Sequence, residues 1–346
     1  MTDDIHDEGR DLSDEGPLGK YLSFCARELV PAYEKADGDA NVNQRRHRRF
    51  TGLAGALGAI GLAFAAVNIA FPDEVLPGPL FPPATLYEWR LFLEAAFSLF
   101  AATLVALGLV LEFHRAWLIA RYKAERLRLL KFQKIVEPDF WCAGGVTPKS
   151  ERDFATARDK IVALGENDLP ALAHAEDAIP PRPSATACEA LDRAQRLVIV
   201  AYYRRKRLDF QIDYFARAAE RIEKRWIRRP GWLPLVFFTS VAFAAFHVAA
   251  EHAGTNWQQA KSIALAISFG IPALWAAART YRSANEFGRN ENRSLAKNAS
   301  LSTIRNRLDP DGPPDDVFSD LGLCEYVLAT DLGEWLRLMR EAEWYG

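Results

Sequence analysis

Cysteine is scarce in this chain of 346 residues, with four, Cys25, Cys142, Cys188 and Cys324. They form no CxxC pair and no metal-ligand spacing, which leads us to expect reduced, structural thiols. A phosphate-binding loop is missing too: the glycine-rich run "GLAGALGAIG" (52–61) lacks the P-loop lysine. The stretch "HVAAEH" (247–252) does not fit HExxH and misses HxxEH by one residue. Polar residues converge at no catalytic spacing, so neither an enzyme, a cofactor nor a bound metal is expected. An excess of one charge is also absent: 43 Lys and Arg stand against 45 Asp and Glu, a formal net charge of −2. Acidic residues interleave with the arginines, so nucleic acid is not an expected partner. The opening "MTDDIHDEGRDLSDEGPLGK" is acidic and polar. It is not expected to act as a signal peptide, and its composition predicts a disordered start over residues 1–17.

Charge is missing most conspicuously from four stretches. Residues 51–71 and 231–250 read "TGLAGALGAIGLAFAAVNIAF" and "GWLPLVFFTSVAFAAFHVAA", 91–111 is broken only by Glu94, and 262–278 is the shortest. About 20 apolar residues in a helix match the ~30 Å hydrocarbon layer of a bilayer. The expected fold is therefore all-α, a polytopic membrane protein with four transmembrane helices in two hairpins and a cytoplasmic helical and coiled-coil region.

Basic residues gather just outside these stretches. "RRHRR" (45–49) precedes the first, and Arg115, Arg121, Lys123, Arg126 and Arg128 follow the second. Lys224, Arg225, Arg228 and Arg229 precede the third, and Arg279 and Arg282 follow the fourth. The loop 72–90 instead holds Asp73, Glu74 and Glu88 with Arg90. By the positive-inside rule both termini and the long middle segment are cytoplasmic. Gly52, Gly55, Gly58 and Gly61 recur every third residue and allow close approach of a neighbouring helix. Glu94 and His247, ionisable and near the outer ends of spans, are candidate pore residues, and Pro272 is a candidate hinge.

Five segments result. After the disordered residues 1–17 come a first two-span module with a helical extension (18–136) and a linker with short helices (137–184). A second two-span module (185–306) is led in by a long helix, and a loop with an amphipathic helix closes the chain (307–346). The second span should run on as helix to about Ile135, and "DLGE" (331–334) suggests a capping box that starts the last helix. From 185 to about 228 there is neither Pro nor Gly. Leu191, Ala194, Val198, Ala201, Arg205, Leu208, Ile212, Phe215, Ala219, Ile222 and Trp226 step by three and four in a heptad-like seam. Two partners fit it: a second copy in a coiled-coil stalk, or the chain's own helices 113–135 and 280–306.

The two exits from the membrane resemble each other. Arg121-x-x-x-Glu125-x-x-Arg128 matches Arg282-x-x-x-Glu286-x-x-Arg289, and each Arg–Glu pair falls on one helix face. With the basic helix "YFARAAERIEKRWIRRP" (214–230) before a hairpin, and "RYKAERLR" and "RSANEFGR" after hairpins, the chain resembles the SLATT group of bacterial membrane proteins, here in tandem. The resemblance covers 40–135 and 200–300. It implies an inner-membrane, pore-forming effector of anti-phage systems, switched on by a cytoplasmic signalling partner. The expectation is a homo-oligomer in the lipid bilayer, with Glu94, His247 and Pro272 serving the pore and Arg121, Glu125, Arg282 and Glu286 coupling it to the cytoplasmic helices. The alternative is a non-conducting anchor whose coiled coil recruits a soluble partner.

Overall fold

A computed structural model describes residues 4–7, 9–12, 16–70, 86–174, 191–224, 233–252, 260–268, 270–271 and 287–345. The chain is all-α, with no strand among the described residues. In chain order the helices are α1 (Gly9–Leu12), α2 (Pro17–Glu28), α3 (Val30–Ala70), α4 (Leu86–Val110), α5 (Phe113–Ile135), α6 (Pro138–Cys142), α7 (Pro148–Ala163), α8 (Leu169–His174), α9 (Arg193–Tyr203), α10 (Phe210–Lys224), α11 (Leu233–His252), α12 (260–268), α13 (Phe287–Arg307) and α14 (Pro314–Tyr345). They form two compact units. The first takes Met1–Asn43, His114–Ile222 and Gly288–Trp344; the second takes Gln44–Phe113, Glu223–Phe287 and the last two residues.

In the first unit, α5 is the central rod. Despite its arginines it buries Trp117, Leu118, Tyr122, Leu127, Leu130, Phe132 and Ile135, residues spread around its circumference. A helix apolar on nearly every side belongs inside a bundle. Around it pack Leu22 and Leu29 from the N-terminal helices, Ile199 and Leu208 from the middle, and Leu321 and Leu336 from α14, all fully buried. Each such side chain contributes roughly 1.5–3 kcal/mol by leaving water. An aromatic group locks α2 to the connector: Tyr21 meets Phe140 edge-on at 5.1 Å, and Phe24 meets Phe154 at 5.2 Å.

Several expectations for this unit are corrected. The N-terminal start is ordered over its described residues, with Asp4 and Ile5 buried and α1 following, because its acids meet buried cations described below. Residues 137–148, whose Pro138, Gly144, Gly145 and Pro148 predict a loop, contain α6 before Gly144 and Gly145 adopt positive φ of 92° and 71°. Cys142 is disulfide-bonded, to a partner outside the described residues, whereas Cys25 and Cys324 are free and buried. The "DLGE" segment starts no helix: Asp331 and Glu334 lie inside α14, pairing with Arg293 and Lys297 of α13 at 3.1 and 3.4 Å.

The heptad-like seam holds only in its second half. Ala194, Val198, Ala201 and Arg205 are exposed, and Ile199, Tyr203 and Arg207 are buried in their place. From Leu208 onward the expected positions return, with Leu208, Phe215 and Ala219 buried. Between the halves lies a π turn, Arg204–Asp209. A π turn inserts an extra residue into the helical ladder, so the face beyond it is rotated by about 100° relative to a straight α-helix. The partner of the second half is the chain itself: Asn298 of α13 donates to the Ile212 carbonyl at 2.8 Å, and Arg305 pairs with Asp209 at 2.6 Å.

The second unit contains the antiparallel hairpin of α3 and α4. Gly61 is its point of closest approach: a Cβ there would stand 2.7 Å from Ser98 Oγ. Gly58 faces Ala101, Phe64 stacks on Phe97 at 5.8 Å, and Asn68 donates to Glu94 at 2.7 Å. The contacts recur every three or four residues, as facing helices require. Among the described residues nothing would meet a Cβ at Gly52 or Gly55, so the described close packing falls in the second half of the glycine run. Two helical stretches, Val30–Asn68 and Leu91–Ile135, are long and apolar enough to cross a membrane. The second does not run on smoothly: Leu111 and Glu112 form a turn in which Glu112 takes φ 45°, separating α4 from α5. The third expected span coincides with α11 over its described residues, and the fourth has its first part in α12. Its remainder, from Pro272, lies outside the described residues.

Candidate functional site

One face of α5 carries Arg121, Glu125 and Arg128, at i, i+4 and i+7. Glu125 accepts from both arginines, at 2.5 Å from Arg121 and 2.9 Å from Arg128. Arg121 reaches on to Asp37 of α3 at 2.9 Å, and Arg128 donates to the Tyr33 hydroxyl one turn earlier on α3. Burial alone would raise the Glu125 carboxyl, but the two guanidiniums outweigh it and hold the group below its usual value. Arg121 is raised above its usual value, chiefly by Glu125.

Arg207 continues the chain of charges from the π turn. Its Nε donates to Glu325 of α14 at 2.9 Å, and its guanidinium stands over the Phe132 ring at 4.6 Å. Tyr203, one turn earlier, donates its hydroxyl to the same carboxylate at 2.7 Å. Burial pushes the Tyr203 phenol well above its usual value, so it stays a donor. Burial acts to lower Arg207, and Glu325 and Asp4 more than reverse that. The π turn places Lys206, Arg207 and Leu208 in the interior consecutively, which a regular helix face does not do.

Residues 4–7 join the two halves. Asp4 Oδ1 lies 2.9 Å from Arg128 Nε, and its Oδ2 accepts from Arg207 and from Gln211, each at 2.9 Å. Asp7 accepts from Lys131 at 2.8 Å and from the Tyr202 hydroxyl at 2.6 Å. Lys131, with 0% of its side chain exposed, also donates to the Ile5 carbonyl at 2.8 Å, and Lys206 donates to the His6 carbonyl at 3.2 Å. A continuous path thus runs Asp37, Arg121, Glu125, Arg128, Asp4, Arg207, Glu325. Removing one member of such a buried pair strands the other and costs roughly 3–5 kcal/mol.

Of the residues singled out from the sequence, Arg121 and Glu125 are brought together and tied to the network. Glu94 stands apart from them in the second unit, against Asn68. His247 lies on α11, and nothing of its side chain is described. Pro272, Arg282 and Glu286 lie outside the described residues, and with them the second copy of the motif. Sequence reasoning missed Asp4, Asp7, Lys131, Arg207, Gln211 and Glu325. The aspartates looked like part of a disordered acidic start, and no motif singled out Arg207. The available signal was the run "RRKRLD" (204–209): its basic side chains cannot all share one outer face of a helix.

A cleft of about 370 Å³ opens beside the network, lined by Tyr33, Asn41, Arg121, Arg293 and Trp335 among others. Among the described residues no group of three or more His, Cys, Asp or Glu is placed to hold a metal ion. The arrangement is a set of mutually compensated charges whose chemistry is ion pairing. No protein-family model matches the chain, and no curated protein or solved structure matches it either.

Proposed function

We propose that this chain is a multi-pass protein of the bacterial inner membrane, with four spans in two hairpins and both termini cytoplasmic, in which the network-bearing unit controls a pore assembled from several copies of the membrane unit. One observation carries the reading: the second unit turns its large apolar side chains outward. Phe92, Leu99, Phe100 and Val110 are 62–78% exposed, and Phe238, Val241 and Val248 of α11 are exposed too. In water so extensive an apolar surface drives association; in lipid it is the solvated surface. The Asn68–Glu94 pair is a polar contact between the two helices of the described hairpin and supports a pore-facing role for Glu94. Coupling rests on α3, which is one helix from Val30 to Ala70 and bears both Asp37 of the network and Gly61 of the hairpin. The likeness of the hairpin flanks to the SLATT group supports the same class of function.

The test is ion release from liposomes holding the purified protein, after sedimentation establishes that it partitions with membranes. Flux that Glu94→Gln alters in rate or selectivity supports the pore. A protein that never conducts, alone or with cytosolic extract, refutes it. The anchor reading is favoured by one feature, the exposed row Ala194, Val198 and Ala201 on α9. Loss of a co-purifying soluble protein on Val198→Asp, without loss of flux, would support that alternative.

A further inference from the structure

We propose that the pocket beneath residues 4–7 is a receptor for an acidic peptide of the pattern Asp-apolar-x-Asp, filled in this structure by the chain's own Asp4-Ile5-His6-Asp7 as a tethered ligand. The partner that fits is a protein presenting such an acidic segment in the same bent form.

The contacts divide as they do between a receptor and a bound peptide. The first aspartate is read from two helices: Arg207 Nη1 and Gln211 Nε2 each donate to it at 2.9 Å, and Arg128 Nε forms an ion pair with it at 2.9 Å. The second is read by Lys131 at 2.8 Å and Tyr202 at 2.6 Å. Ile5 between them is fully buried, which fixes an apolar second position. His6 turns to Glu34 of α3 at 3.1 Å and sits edge-on to Tyr33 at 6.3 Å, half-exposed, so the third position is the least enclosed of the four. Lys131 and Lys206 take the carbonyls of the second and third positions, and backbone recognition of that kind is independent of sequence.

The pocket walls are held together without the segment. Arg207 pairs with Glu325, Tyr203 bonds the same carboxylate, and Phe132 packs edge-on against Tyr203 at 6.0 Å. These contacts join α5, the π turn and α14 directly. Vacating the pocket therefore removes the anions from a preformed cationic site. Lys131 would lose its carboxylate partner, a condition that favours the return of any matching acidic segment. An incoming peptide satisfies the same donors at the same places, so it competes with residues 4–7.

The experiment uses the full-length chain in detergent and a fluorescent peptide corresponding to residues 1–12. In the unaltered protein the tethered segment occupies the pocket, which lowers apparent affinity by the fraction of time it is open. Asp4→Asn with Asp7→Asn in the chain should free the pocket and tighten peptide binding about ten-fold or more. A peptide carrying the same two changes should not bind. Equal binding by both chains, or binding by neither, overturns the proposal. Because the double variant could lose its fold, hydrogen exchange of residues 4–12 is followed in the unaltered protein as well. The segment should exchange slowly alone and faster when excess peptide is added. Exchange at the rate of an unstructured chain from the start, or no response to the peptide, overturns it equally.

Discussion

The two units treat the same residue types in opposite ways. In the first, leucines such as Leu118, Leu127 and Leu321 are fully buried and the guanidinium of Arg207, 2% exposed as a residue, lies among them. In the second, Leu99 and Val110 are 70% and 78% exposed, and the described close contacts are made by Gly61, Ser98 and Ala101. In water the driving force is removal of apolar area, so large side chains go inside and a charge follows only with its partner. In lipid that driving force is absent between helices, and small residues that allow close packing take the interior. On the proposed reading the contrast is one between two solvents, and it can be attacked from either side.

The largest expected effect is in the first unit. Arg207→Ala should cost roughly 3–5 kcal/mol, because Asp4 and Glu325 are left buried without it. Denaturant unfolding followed by tryptophan fluorescence measures this, and a loss under 1 kcal/mol would mean water reaches the network. Next comes Leu99→Lys on the outer surface of α4. If lipid covers that surface, insertion should worsen by about 3 kcal/mol, read as glycosylation-tag topology in a translocation assay. If water covers it, the change should stay within about 0.5 kcal/mol. Third, Gly61→Leu should destabilise the hairpin by about 1–3 kcal/mol, because its Cβ would meet Ser98, while Gly55→Leu should be tolerated. Equal thermal stability of the two variants in detergent would remove the close-packed hairpin.

The smallest effect is a pH dependence confined to the first unit. Glu125 is held below its usual value, so its contribution is present above the ordinary carboxylate range and lost as pH falls through its lowered value. Asp331 has the opposite sign: burial raises it, so its contribution is present at low pH and declines as pH rises through its raised value. Glu125→Gln should flatten the acid limb of the stability profile, and Asp331→Asn should flatten the decline that follows as pH rises further. Unaltered limbs in both variants would mean that neither carboxyl is buried in solution.

The all-helical class was readable because its signals are local. Uncharged runs and the absence of breakers act within a turn or two, whereas the Thr147 cap that starts α7 through Ser150 N went unread. The Arg121–Glu125 contact was readable for the same reason, since spacing on one helix brings the pair together. The seam was misread at Ala194 to Arg205 because a π turn is a property of the packed helix, stabilised by burying Lys206 and Arg207, and has no short motif. The partners of the network were not readable at all. Asp4 and Arg207 are 203 positions apart, and Tyr203 and Glu325 are 122 apart. Nothing in the neighbourhood of either residue names the other.

Sequence alone thus determined where this chain is helical, where it lacks charge and which arginines share a helix face, because backbone propensity and periodicity are properties of neighbours. Tertiary structure alone decided which acids answer those arginines, that an acidic segment at residues 4–7 is buried, and that one glycine of four is a point of close helix approach. Those outcomes depend on which surfaces meet, and a buried charge is stable only where distant parts of the chain deliver its counter-charge to the same few ångströms.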